Sequence, residues 1–227
     1  MSPITGFVDE MVKKGGLILL AARPGIGKST LAFNIAGNMS IDCRRRVAFF
    51  CIETGGALSA QSLVCSRAHV KVSALRNNKM TSAEKDRIAA TSRIIRDAPL
   101  FVDEHCDWNI AELVDTVREM NKEKKLDLVI VDYLQLVMSD KGETREEKLE
   151  NVVRELKALA YELRIPIIVT ATTSWVPATR NWKNYTKSAL PHSRRILSGF
   201  WTGAIRARTG TRTSVRPNSM WRIRKFF

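Results

Sequence analysis

The stretch Leu17-Ile18-Leu19-Leu20-Ala21-Ala22-Arg23-Pro24-Gly25-Ile26-Gly27-Lys28-Ser29-Thr30 decides how this chain is read. Its apolar run, Leu17 to Ala22, predicts a buried strand, Arg23-Pro24-Gly25 ends it, and Leu31, Ile35 and Met39 then recur at helical spacing. Strand, tight turn and helix are the frame of a phosphate-binding loop. Gly25 and Gly27 let the backbone turn so that successive N–H groups face an anion, and the helix adds the partial positive charge of its N-terminus. Arg23, Pro24, Gly25, Ile26, Gly27, Lys28, Ser29 and Thr30 are therefore expected to line a nucleotide site. Lys28 would reach the β- and γ-phosphates, and the Ser29 hydroxyl would ligate Mg²⁺. Ala22 stands where the formal pattern G-x-x-x-x-G-K-[ST] has its first glycine, so the pattern is missed by one methyl group. The bland alternative is a Gly-rich strand-to-helix turn with a chance Gly-Lys-Ser, and the placement of all three elements argues against it.

Working outward, 227 residues are enough for one large α/β domain with a real core. Cys43, Cys51, Cys65 and Cys106 have no CxxC spacing and mostly apolar neighbours, which predicts reduced core thiols and a cytosolic protein. No apolar run approaches a membrane span, and the first sixteen residues lack the apolar core of a signal peptide. The net charge of +14 is unevenly spread. All 23 acids lie in residues 1–171 beside 25 Lys and Arg, whereas residues 172–227 hold 12 Lys and Arg, no acid, and four of the five tryptophans. The expected division is a core over 1–171 and a basic tail over 172–227.

Within the core, Thr5 to Asp9 precedes a Gly15-Gly16 turn and is expected to tie down the sheet edge or stack near the nucleotide. Val47 to Ile52 is an uninterrupted apolar run suited to a strand covered on both faces, with Glu53 at its end. Glu53 has two readings: a cap carboxylate, or, because ligands bind at the carboxyl ends of parallel strands, a group that orients water against the γ-phosphate. Residues 54–98 read as helices, with a capping box at Thr81 and Glu84. Pro99 to Val102 is a short strand, Asn109 opens a helix with Ile110, Leu113, Val114 and Val117 on one face, and His69 and His105 have no partners for a metal site. Leu126 to Val131 is a buried strand ending in Asp132, placed to hold Mg²⁺ opposite Ser29. Gln135 either senses phosphate or caps the next turn. A polar, exposed loop over 139–145 is expected, then a helix with Leu149, Val152, Val153, Leu156, Leu159, Ala160 and Leu163 on one face, then a strand over 165–171.

Taken together, ARPGIGKST, the strand ending in Ile52-Glu53, LVCSRAHV (63–70), PLFVDE (99–104), VDYLQLV (131–137) and RELKALAYELRIPIIVTA (154–171) resemble the motor domain of DnaB-type replicative hexameric DNA helicases. That family uses Ala-Arg-Pro before the loop glycines, which accounts for Ala22. The resemblance covers residues 5–171. It implies a RecA-like phosphate-loop NTPase with a mainly parallel sheet flanked by helices, ATP and Mg²⁺ as cofactors, and translocation on single-stranded DNA. It also implies a homo-oligomer, a hexameric ring with nucleotide sites between subunits, in the cytoplasm of a bacterial or phage-infected cell. By the same likeness Lys28 and Ser29 serve phosphate and Mg²⁺, Asp132 supports the metal, and Glu53 is the catalytic carboxylate. There are two departures: no counterpart of the N-terminal domain that meets primase and loader, and Ser62 where the family often carries arginine.

After Ala171 such a helicase should continue with a glutamine that senses the γ-phosphate, a DNA-contacting loop and an arginine finger. Here Thr172-Thr173-Ser174-Trp175 follows, and Arg206 and Arg208 align with no finger. Three readings of the tail stand. It is a nucleic-acid arm in which Lys and Arg neutralise phosphates and Trp175, Trp182, Trp201 and Trp221 stack on bases. It is a divergent end of the fold. Or it is read out of frame: threonine codons ACA and AC-, taken one base later, give CAA, a glutamine codon where the family has glutamine. The alternative function is an ATP-binding, nucleic-acid-binding protein that does not unwind.

Overall fold

The computed structural model describes residues 16–53, 56–103 and 105–172. Five strands and six α-helices follow one another along the described residues: β1 (Leu17–Ala22), α1 (Lys28–Gly37), β2 (Val47–Cys51), α2 (Gly56–Ala68), α3 (Val72–Arg76), α4 (Ser82–Arg96), β3 (Leu100–Asp103), α5 (Ile110–Lys124), β4 (Leu128–Asp132), α6 (Arg145–Leu163) and β5 (Ile167–Thr172). All pairings are parallel, in the order β1-β5-β4-β2-β3, so every strand delivers its carboxyl end to the same rim of the sheet. The expected parallel α/β architecture is observed. Right-handed crossovers put α1 to α4 on one face and α5 and α6 on the other. The packing agrees: α1 lies on α2, α2 on α4, and α5 on α6.

The central strands β2 and β4 are buried at every position, which is why their sequences, VAFFC and LVIVD, show no polar alternation. Successive aromatics of β2 point to opposite faces. Phe49 meets Phe33 of α1 edge to face at 4.8 Å, and Phe50 meets Trp108 on the far side at 5.5 Å. The apolar faces read from the sequence close on this sheet: Ile110, Leu113, Val114 and Val117 of α5, and Leu149, Val152, Val153, Leu156, Leu159 and Ala160 of α6.

Several details differ from the sequence reading, each for a local reason. The phosphate-loop helix does not run unbroken through Met39, because Asn38–Asp42 widens into a π turn. Arg67 of α2 clamps this turn, donating to both Asp42 carboxylate oxygens at 3.0 and 2.6 Å and to Asn38 at 3.0 Å. The loop at 139–145 is not wholly exposed. Ser139 is buried, accepts from Asn151 Nδ2 at 2.9 Å and from the Lys141 N–H, and donates to the Lys141 carbonyl. Thr144 closes that loop with a capping box to Glu147, a second copy of the Thr81 and Glu84 device. Of the four thiols, only Cys51 and Cys65 are buried, and burial raises the Cys65 thiol above its ordinary range. Cys106, in the segment after β3, is exposed. No helix among the described residues is long and apolar enough to cross a membrane. The segment Thr5 to Asp9 and the expected tail beyond Thr172, with its four tryptophans, Arg206 and Arg208, lie outside the described residues.

Candidate nucleotide site

At the rim, β1 ends in Ala22 and the chain turns into α1 through Gly25 (φ 74°) and Gly27 (φ 94°). Both occupy the left-handed region that a side chain resists, so the loop requires glycine there. Gly27 is the N-cap of α1, no side chain caps the helix, and no acid lies in its first turn. The first amide groups of α1 are thus left to an external acceptor, and the helix dipole favours one that is negative. Arg23, Pro24, Gly25 and Thr30 are exposed around this turn, and Ile26 and Gly27 half-buried.

Two of the residues singled out in the sequence, Lys28 and Glu53, meet here. Lys28 is 8% exposed, its ammonium 3.5 Å from Glu53 Oε2 and 4.9 Å from the centre of the Tyr133 ring. Glu53 is held at the end of β2 by backbone hydrogen bonding, since the N–H groups of Ile52 and Glu53 both donate to the Asp132 carbonyl at 2.8 and 3.3 Å. Its side chain remains 44% exposed. A carboxylate in this position can hold a water molecule, and its neighbour Lys28 can meet phosphate oxygens.

Ser29 and Asp132 form the other half of the site. The Ser29 hydroxyl donates to Asp132 Oδ1 at 3.1 Å, and Asp132 is only 1% exposed. A hydroxyl and a carboxylate side by side are hard oxygen donors, as Mg²⁺ prefers. They are too few to cage a cation alone, and no group of three or more His, Cys, Asp or Glu among the described residues is placed to do so. That donor set suits a cation that brings phosphate oxygens and waters as its remaining ligands. His69 and His105 are apart from this site, His105 stacking edge-on against Trp108 at 5.1 Å.

Gln135 is at the same rim, but its amide is engaged elsewhere. Nε2 donates to the Thr172 carbonyl at 2.8 Å, and Oε1 accepts from the Thr172 N–H at 3.2 Å. This geometry is a clamp on the backbone at the end of β5, which neither sequence reading named. Two participants were missed in the sequence. Tyr133 offers its ring face to Lys28, and Thr170, completely buried on β5, donates its hydroxyl to Asp132 Oδ1. Thr170 had a visible signal, being the one polar residue within Ile167-Ile168-Val169-Thr170-Ala171.

A parallel sheet with this loop, lysine, hydroxyl and pair of strand-end carboxylates defines a phosphate-loop NTPase. The chain belongs to the DnaB-like helicase C-terminal domain family, whose model matches residues 5–197. The match continues past Ala171, so residues 172–197 carry family likeness that no single motif announced. A replicative DNA helicase DnaB of Leifsonia xyli subsp. xyli is 35% identical over 198 residues, covering 85% of this chain and 43% of that protein. A probable plasmid replicative DNA helicase of Chlamydia trachomatis is 27% identical over 175 residues, covering 75% and 39%. The chain thus spans about two fifths of the length of these relatives. Among solved structures, a DnaB-like replicative helicase studied with primase superposes with a TM-score of 0.68 at 21% identity, over 72% of this chain and 40% of that one. A second solved structure, of an ATPase domain, gives 0.68 at 22% identity, over 72% and 59%. These neighbours establish the RecA-like fold.

Proposed function

We propose that this chain is the motor of a replicative DNA helicase, hydrolysing ATP with Mg²⁺ to move along single-stranded DNA within a homo-oligomeric, six-membered ring. Family membership supports the class of activity. The observation that carries the site assignment is the convergence of two pairs, Lys28 with Glu53 and Ser29 with Asp132, at the mouth of an uncapped helix. In this reading the loop from Arg23 to Thr30 cradles the phosphates and Lys28 neutralises the β- and γ-oxygens. Ser29 and Asp132 hold Mg²⁺, directly or through water, and Glu53 orients the attacking water and accepts its proton. Mg²⁺ would offset phosphate charge as the terminal phosphoryl group departs. Gln135 belongs to the same rim and fixes where the chain leaves β5. The helicase homologues are bacterial, and a cytoplasmic setting follows from that reading.

The test is strand displacement on a forked DNA duplex with ATP, with a non-hydrolysable analogue, and without nucleotide. Displacement that requires hydrolysis supports the motor. DNA binding that ignores nucleotide and collapses with salt would replace it with a nucleic-acid-binding module.

A further inference from the structure

We propose that Thr170 is a positioning residue for the metal side of the phosphate site, holding the Asp132 carboxylate in one orientation for the cation it would help to bind. The inference rests on the nucleotide-site reading above and assigns a role to a residue outside its motifs. Val131 and Val169 are level in the β4 to β5 ladder, so Asp132 and Thr170 stand side by side with side chains on the same face of the sheet. Both are sealed from solvent, at 1% and 0% exposure. A hydroxyl in such a place must find an acceptor, and the acceptor is Asp132 Oδ1, which also receives the Ser29 hydroxyl at 3.1 Å.

Two donors converging from different elements, one on β5 and one in the first turn of α1, fix the carboxylate plane. The remaining strand residues make the choice of threonine informative. Ile167, Ile168, Val169 and Ala171 are all buried and apolar, and valine would fill the Thr170 volume without a hydroxyl to satisfy. The hydroxyl is therefore explained by its acceptor and not by packing. Outer partners of a metal-ligating carboxylate typically control affinity by 10- to 100-fold.

The experiment compares Thr170→Val, Thr170→Ala and Thr170→Ser in the full chain, using a fluorescent ATP analogue titrated first in EDTA and then with Mg²⁺. Thermal unfolding without nucleotide or metal is recorded in parallel. Val and Ala should bind the analogue in EDTA as the parent does, yet need roughly ten times more Mg²⁺ for the tight complex. Ser, which keeps the hydroxyl, should restore the parental Mg²⁺ dependence. A parent that responds to Mg²⁺ alongside Val and Ala variants with the same midpoint overturns the role of Thr170 alone. So does a Ser variant that behaves like Val. A parent whose analogue binding ignores Mg²⁺ overturns the nucleotide-site reading itself, and this inference with it.

Discussion

The Lys28 ammonium and the Glu53 carboxylate lie 3.5 Å apart, the lysine buried and the glutamate nearly half exposed. One sits at the head of α1 and the other just beyond β2, so their meeting depends on the tertiary fold. The pairing brings the charge that would bind phosphate beside the group that would activate water. Glu53→Gln keeps size and polarity but removes the base. The variant should bind ATP normally while hydrolysis falls by roughly two orders of magnitude or more. Measured ATP affinity and single-turnover rates decide it: loss of binding together with turnover would make Glu53 a structural cap.

Lys28→Ala removes the cation placed for the β- and γ-phosphates. Nucleotide-dependent activity should vanish while the circular dichroism spectrum and thermal midpoint change little, because Lys28 lies at the start of α1, outside the five strands. A variant with parental affinity and turnover would sink the phosphate-loop assignment.

The elements that could be read from sequence are those where local pattern and tertiary need coincide. The run VAFFC had to be buried on both sides, and the periodicity of Leu149, Val152, Val153, Leu156 and Leu159 had to face a core. The turn from β1 into α1 was legible because Gly25 and Gly27 are required by its backbone geometry. What escaped was pairwise chemistry across strands. Nothing local shows that Thr170 stands beside Asp132, that Tyr133 underlies Lys28, or that the Gln135 amide is spent on Thr172, since each depends on strand order and register. Thr144 was a different kind of miss. Its capping signature, Thr-x-x-Glu, was present but lay within a polar run that reads as loop.

The two capping boxes predict an acid limb of stability. Backbone N–H groups of Glu143 and Thr144 lower the pKa of Glu147, and the N–H and hydroxyl of Thr81 lower that of Glu84. Arg118 likewise holds Glu162 below the ordinary carboxylate range. Because each folded-state pKa is depressed, the stabilisation is present above the unfolded value and is lost as pH falls through the folded one. The thermal midpoint should therefore decline below the ordinary carboxylate range. A protein carrying Glu84→Ala and Glu147→Ala should start lower at neutral pH and lose less on acidification. Parallel curves from about pH 7 to 3 would refute the contribution of the boxes.

The last prediction concerns residues 172–227 and follows from charge. Residues 1–171 carry 25 bases against 23 acids, whereas the remainder carries 12 bases and no acid. Electrostatic affinity for a nucleic acid backbone arises from counterion release and scales with the phosphates neutralised, so most of it should reside in the second part. We therefore expect truncation after Thr172 to leave ATP affinity and the thermal midpoint nearly unchanged, since the Gln135 clamp on Thr172 and every described strand remain. Single-stranded DNA binding should weaken sharply at low salt, and the slope of log affinity against log salt should shrink toward zero by about 0.7 for each phosphate no longer neutralised. Truncation after residue 197, where the family match ends, separates the two parts of this segment. If the shorter protein melts well below the one ending at 197, residues 173–197 complete the sheet as a divergent end of the fold. If both melt like the full chain while DNA affinity falls in steps, the segment acts as a basic arm. An unchanged salt slope after removal of all 12 basic residues would instead place the DNA-binding surface on the core.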